Sequence, residues 1–174
     1  MNILKKYPEL LELAYLSVVE RTKSLKSIFE RDIENDPNLN FRKKKIYPIK
    51  GEEPAMQLLF NHLTREEVEE EDESGRKVKR RVFDMHRSQR LHWVKYHIEE
   101  NKKDKMEIFS TEERVKGKTV FRTYIFDLAE KYVIVLEPQR TKKDYYLLTA
   151  FYLYKKHGET QIKNKLKNKL GEIL

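Results

Sequence analysis

Cysteine is absent from the sequence, which excludes disulfide staples, thiol nucleophiles and cysteine-ligated zinc. Glycine is scarce, with five residues and no cluster, so there is neither a glycine-rich phosphate loop nor a Gly-x-Ser-x-Gly nucleophile elbow. His-Glu-x-x-His is missing, and no paired carboxylates stand among the strand-like runs. His92 and His97 are five residues apart, the wrong step for one helical ligand face. The expectation is a protein with no metal and no other cofactor. No stretch approaches the roughly 18 apolar residues of a membrane helix, and the opening residues hold no signal-like apolar run. A reducing cytoplasm is the expected compartment, with no membrane partner.

Charge is what the chain has in quantity. Of its 174 residues, 38% are charged and 39% hydrophobic, with a formal net charge of +8 and a pI near 9.4. A basic balance favours polyanionic partners and salt-sensitive encounter. The length suffices for one domain with a real core, or for a domain with a helical appendage.

Leu11, Ala14, Val18, Thr22, Leu25 and Phe29 recur at three- and four-residue steps after Pro8, and Asn35-Asp36-Pro37-Asn38 breaks the pattern. This predicts a helix from about Pro8 to about Glu34. A basic knot, Arg42 to Lys45, is followed by Pro48, Gly51 and a second predicted helix over Glu53–Thr64. His62 reads there as a surface or capping residue. Residues 66–73 hold seven acids, and Arg76–Arg81 hold five basic residues. Such blocks predict a solvated loop, with closure into a charged hairpin as the alternative. A sharper idea is that the acidic run imitates RNA over a basic cleft. The boundary expected here separates residues 1–75, a helical N-terminal region ending in an acidic loop, from residues 76–174, an α+β domain with a basic C-terminal helix over Glu159–Lys169.

Asp84 is placed to cap a helix running to about Glu100. Strand-like runs follow at Lys105–Ser110, Thr119–Phe126, Tyr132–Pro138 and Tyr145–Tyr154. Their short connections predict an antiparallel sheet. On a helix, Leu91, Val94 and Ile98 form an apolar stripe. His86, Arg90, Trp93 and His97 lie beside it, at the edge of the buried face, while His92 and Lys95 lie farther round. An imidazole and a cation at such an edge can hold phosphate and exchange protons. Arg122 and Thr149 interrupt apolar strands. Metal-free RNA cleavage needs a base for the 2′-OH, an acid for the leaving oxygen and cations for the charged phosphorane. Arginine clamps phosphate, and Tyr or Trp stacks on an unpaired base.

Arg87-x-x-Arg90-x-x-Trp93-x-Lys95, Arg122-x-Tyr124-x-Phe126, Tyr132-Val-Ile-Val-Leu136 and Tyr145-Tyr-Leu-Leu-Thr-Ala-Phe-Tyr152 together resemble the phage-associated PBECR nucleases. That family has the barnase, EndoU, colicin and RelE ribonuclease fold. The resemblance covers roughly residues 82 to 156. It implies helices packed on a four-stranded antiparallel sheet, preceded here by the helical N-terminal region. The activity it implies is metal-independent RNA cleavage by a phage-borne or toxin-type effector. It also implies site positions at Arg87, Arg90, Lys95, Arg122 and Thr149. RNA, tRNA included, is the expected partner, together with an immunity or antitoxin protein. The catalytic candidates are therefore His92 and His86, whose choice rests on chemistry, with Arg90, Lys95, Arg122 and Thr149. Arg87, Trp93, His97 and Arg140 are the candidates for holding the RNA. A nucleic-acid-binding module without catalysis, and a phage structural or interaction protein, are the competing expectations.

Overall fold

The computed structural model describes all residues, 1–174, as a mixed α+β fold around a six-stranded sheet. The strands are β1 Asn40–Phe41, β2 Lys44–Pro48, β3 Arg65–Glu71, β4 Lys77–Phe83, β5 Met106–Val115, β6 Lys118–Asp127, β7 Tyr132–Pro138 and β8 Tyr145–Tyr152. The helices are α1 Val18–Phe29, α2 Ala55–Thr64, α3 Met85–Ser88, α4 Trp93–Ile98 and α5 Lys156–Lys167. The main sheet runs β1-β2-β8-β7-β6-β5, while β3 and β4 form a hairpin of their own. The expected antiparallel β5–β8 array is present, but the sheet has six strands where four were expected, because β2 adds to β8 in parallel. The basic knot hid these strands. Arg42 and Lys43 both adopt positive φ, 49° and 67°, and turn β1 tightly into β2.

The first helix begins ten residues later than Pro8. Ser17 caps it through a reciprocal box with Glu20, which fixes the start at Val18. The residues before it form an irregular strap that buries Leu11 and Leu13. The helical path does close at Glu34, through a wider turn over Glu30–Glu34.

Asp84 caps α3 by accepting from the Arg87 N–H, but the expected helix to Glu100 breaks into α3 and α4. In a continuous helix the Gln89 carbonyl would accept from Trp93. Here Trp93 N–H donates to Arg90 O, and Gln89 O accepts from Leu11 N–H of the strap. The break shifts the phase of everything after it, so His86 no longer shares a stripe with Trp93 and His97.

Each face of the sheet carries a core. Ile125, Tyr132, Ile134, Leu136, Leu147 and Ala150 join a cluster of 23 buried residues with α1, α2 and α4. Phe109, Tyr124, Phe126, Val133, Val135 and Leu153 meet Ile162 of α5 on the other face. Leu148 is a bulge, since Leu136 pairs with Leu147 and Val135 with Thr149. That extra residue breaks the expected shared face of Leu147, Thr149 and Phe151. Leu147 enters the larger core and Thr149 turns to the α5 side.

The acidic and basic blocks form the hairpin, not a solvated loop. Glu67 pairs in register with Arg81, Glu69 with Lys79 and Glu71 with Lys77. Asp72 closes the turn by accepting from the N–H groups of Ser74 and Arg76, and Gly75 supplies the φ of +77°. Glu67, Glu69 and Glu70 are engaged by β4 cations at 2.8, 2.9 and 2.8 Å, so the run faces its own basic partner strand. The boundary expected at residue 75 falls in this turn, and the larger core draws on both sides of it.

Candidate functional site

A cavity of about 450 Å³ lies between the second face of the sheet and α5. That size is within the range of small-molecule sites, roughly 300–1,000 Å³. Arg122 of β6, Thr149 of β8, His62 of α2, and Gln161 and Lys165 of α5 line it. The bulge and the strand pleat bring these side chains together from distant parts of the sequence.

His62 is the one imidazole in the lining. Its Nδ1 lies 3.2 Å from the carbonyl of Leu148, the bulged residue. A carbonyl can only accept, so Nδ1 carries the proton and Nε2 is left as a base. Half-burial pushes the ring's pKa below its ordinary 6.5, with Arg81 acting in the same direction. The ring is therefore neutral near pH 7. Thr149 Oγ1 donates to His62 O at 3.0 Å. Arg87 donates to His62 O at 2.8 Å and to Thr149 Oγ1 at 3.3 Å. Arg87 thus ties the end of α2 to β8 from behind the cavity.

The cations of the lining come from β6 and α5. Arg122 Nε is buried without a hydrogen-bond partner, and its NH1 stands 3.9 Å from Glu113 Oε2. Lys165 Nζ lies 2.8 Å from Glu113 Oε1 and donates to the Tyr124 hydroxyl at 2.9 Å. Tyr124 donates in turn to Glu113. Burial would raise the Glu113 pKa, but hydrogen bonds from Lys165, Tyr124 and Thr111 hold it below the ordinary value. Burial, and then the Glu113 charge, push the Tyr124 phenol upward. The result is a charged carboxylate facing two cations, one of which keeps an unused donor.

Of the residues singled out from the sequence, only Arg122 and Thr149 line this cavity, and Arg87 touches it through Thr149. Arg90 is buried elsewhere, with its guanidinium 3.8 Å over the Tyr152 ring and NH1 donating to His86 O. His86 is exposed and stacks on Tyr154 at 4.6 Å. His92 is buried under the strap with Nε2 2.9 Å from Glu9 O, and burial lowers its pKa to about 4. Lys95 is paired with Asp36 at 2.6 Å. Trp93 is buried and donates Nε1–H to Glu9 O. His97 lies in the core between Trp93 O and Asp127, so neither ring nitrogen is open to a substrate. Arg140 stands in an exposed turn beside a separate cavity.

His62, Gln161 and Lys165 were missed. Their local sequence carries no sign of a site, because His62 reaches the cavity only through the bulge and Lys165 only through the docking of α5. No group of three or more His, Asp and Glu side chains is arranged to hold a metal ion. No helix is long and apolar enough to cross a membrane. No family model matches the chain, and no curated protein or solved structure matches it.

Proposed function

We propose that the protein is a metal-independent RNA endonuclease acting in the His62–Arg122–Thr149 cavity. The observation that carries this reading is a neutral imidazole of fixed tautomer lining the same cavity of nucleotide size as an arginine with an unused buried donor. In the proposed reaction His62 Nε2 takes the 2′-OH proton. The 2′-oxygen attacks phosphorus, the P–O5′ bond breaks, and the 5′-oxygen leaves with a proton from solvent. The products are a 2′,3′-cyclic phosphate and a 5′-hydroxyl. Arg122 and Lys165 stabilise the charge that builds on the phosphorane, with Glu113 yielding them to the incoming phosphate. Thr149 holds the backbone of His62 in place. The basic balance, +8 overall, supports capture of RNA, and the PBECR resemblance supports a cytoplasmic, phage-borne or toxin-type role.

Incubation with RNA oligonucleotides and tRNA in EDTA tests the proposal. Cleavage should persist, leave 2′,3′-cyclic ends and stop when the scissile nucleotide is 2′-deoxy. His62→Gln should lower the rate by about 10²–10⁴. Arg122→Met should lower it by about 10²–10³. Because the His62 pKa lies below 6.5, the rate should rise with pH and level off before about pH 6.5. A nucleic-acid-binding module without catalysis is the second reading. It is favoured by the hold that Glu113 already has on Lys165. Salt-sensitive binding with every RNA left intact would decide for it.

A further inference from the structure

Beside the cavity lies a second hollow, of about 200 Å³, bounded by Tyr152, Tyr154 and Lys155. Phe151 and Gly158 line both hollows, so the two are neighbours across one wall. The outer rim of the second is aromatic. His86 stacks on Tyr154 with 29° between planes, and Tyr152 and Tyr154 are nearly parallel at 19°. His86 is exposed and Tyr154 is 43% exposed.

Cations frame these rings. Buried Arg90 covers one face of Tyr152 at 3.8 Å, and exposed Lys155 lies over Tyr154 at 5.1 Å. Lys156 beside them is exposed. Of the carboxylates here, Glu66 stands 3.8 Å from Lys155 and Asp84 is taken by Arg87 at 3.5 Å. The exposed part of this surface is the His86–Tyr154 stack with Lys155 and Lys156 beside it, and aromatic rings beside positive charge are the chemistry of single-strand binding. A duplex keeps its base faces inside its own stack and cannot use such rings.

We infer that His86 and Tyr154 form a base-stacking subsite for single-stranded RNA beside the His62–Arg122 cavity. The subsite deepens the nuclease reading and rests on it for its purpose, but its test does not depend on cleavage. The 174-residue chain carrying His62→Gln serves as the parent, so that the RNA survives. Binding of a fluorescein-labelled decauridine and of a duplex RNA of equal length is followed by anisotropy at fixed salt. Tyr154→Ala and His86→Ala should each weaken single-strand binding about tenfold, with the duplex little changed. Tyr154→Phe, which keeps the ring, should bind like the parent. The subsite is overturned if the parent does not bind the single strand. It is also overturned if the alanine variants bind like the parent, or if duplex binding falls equally. Ring-dependent binding by a wild-type chain that never cleaves would overturn the nuclease reading and leave the subsite standing. Cleavage by a Tyr154→Ala chain with unchanged affinity would do the reverse.

Discussion

His92 and His62 are both partly or wholly buried and both bond a backbone carbonyl, yet their surroundings give them opposite uses. His92 is sealed under the strap, 6% exposed, with Nδ1 buried and unpartnered. Burial lowers its pKa to about 4, against about 6.5 in an unfolded chain. A folded-state value below the unfolded one means that the unfolded chain binds the proton more tightly. The contribution of His92 is therefore complete above about pH 6.5 and is lost as the pH falls towards about 4. His92→Gln can still donate to Glu9 O but does not titrate. Urea denaturation should show the wild type losing more stability than this variant between pH 6.5 and 4, by at most about 3 kcal/mol. Parallel pH profiles for the two proteins would refute the assignment. The sequence could not separate the two rings, since the helical wheel placed His92 towards solvent and gave His62 a surface place. The strap carbonyl and the bulge carbonyl that decide the matter belong to residues far away in the chain.

At the scale of elements, β6 to β8 were legible because each alternates or runs apolar between clear turns, whereas β5 was legible only to Ser110 and continues through the polar run to Val115. Asp84, as a helix cap, was legible for its local chemistry. The errors lie where a tertiary contact overrode a local pattern. The Leu11-to-Phe29 spacing mimics one long helix, but Leu11 N–H is drawn to Gln89 O, so the same contact ends one expected helix and delays another. β1 and β2 are too short and too basic to stand out, and β2 is recruited by β8. The bulge at Leu148 cannot be read from alternation, although the site depends on it. Removing Leu148 would restore a regular ladder and leave Leu147 and Thr149, then adjacent, on the opposite faces they already hold, but it would take away the carbonyl that His62 Nδ1 bonds. This deletion should cost about 1–3 kcal/mol for the half-buried His62 N–H left without its partner, in addition to the lost Leu148 side chain. Leu148→Ala, which keeps the bulge, should cost about 1–2 kcal/mol for a half-buried side chain. Thermal melts by circular dichroism would compare them, and a deletion variant as stable as the alanine variant would refute the role given to the bulge carbonyl.

At the scale of the whole molecule, the charge runs of residues 66–81 imitate a linker, which is why two regions were expected. The like-signed blocks instead neutralise one another strand against strand. Pairs this exposed contribute only about 0–1 kcal/mol each, so the hairpin stands more by attachment at its two ends than by its ion pairs. The hydrophobic interior takes no notice of the charge runs. Twelve of the 23 residues of the larger core precede residue 76, among them Leu11, Leu25, Phe29 and Leu59, and they meet Leu91, Trp93, Ile134 and Leu147 from beyond it. Residues 76–174 alone would expose that face of the sheet, leaving on the other side only a cluster of seven buried residues. A core shared in this way predicts one cooperative unit. Calorimetry of the intact chain should give one transition whose calorimetric and van't Hoff enthalpies agree. The 76–174 fragment made alone should lack a cooperative melt and bind a hydrophobic dye. Two resolved transitions, or a fragment that melts sharply by itself, would show that the charged hairpin does separate two domains.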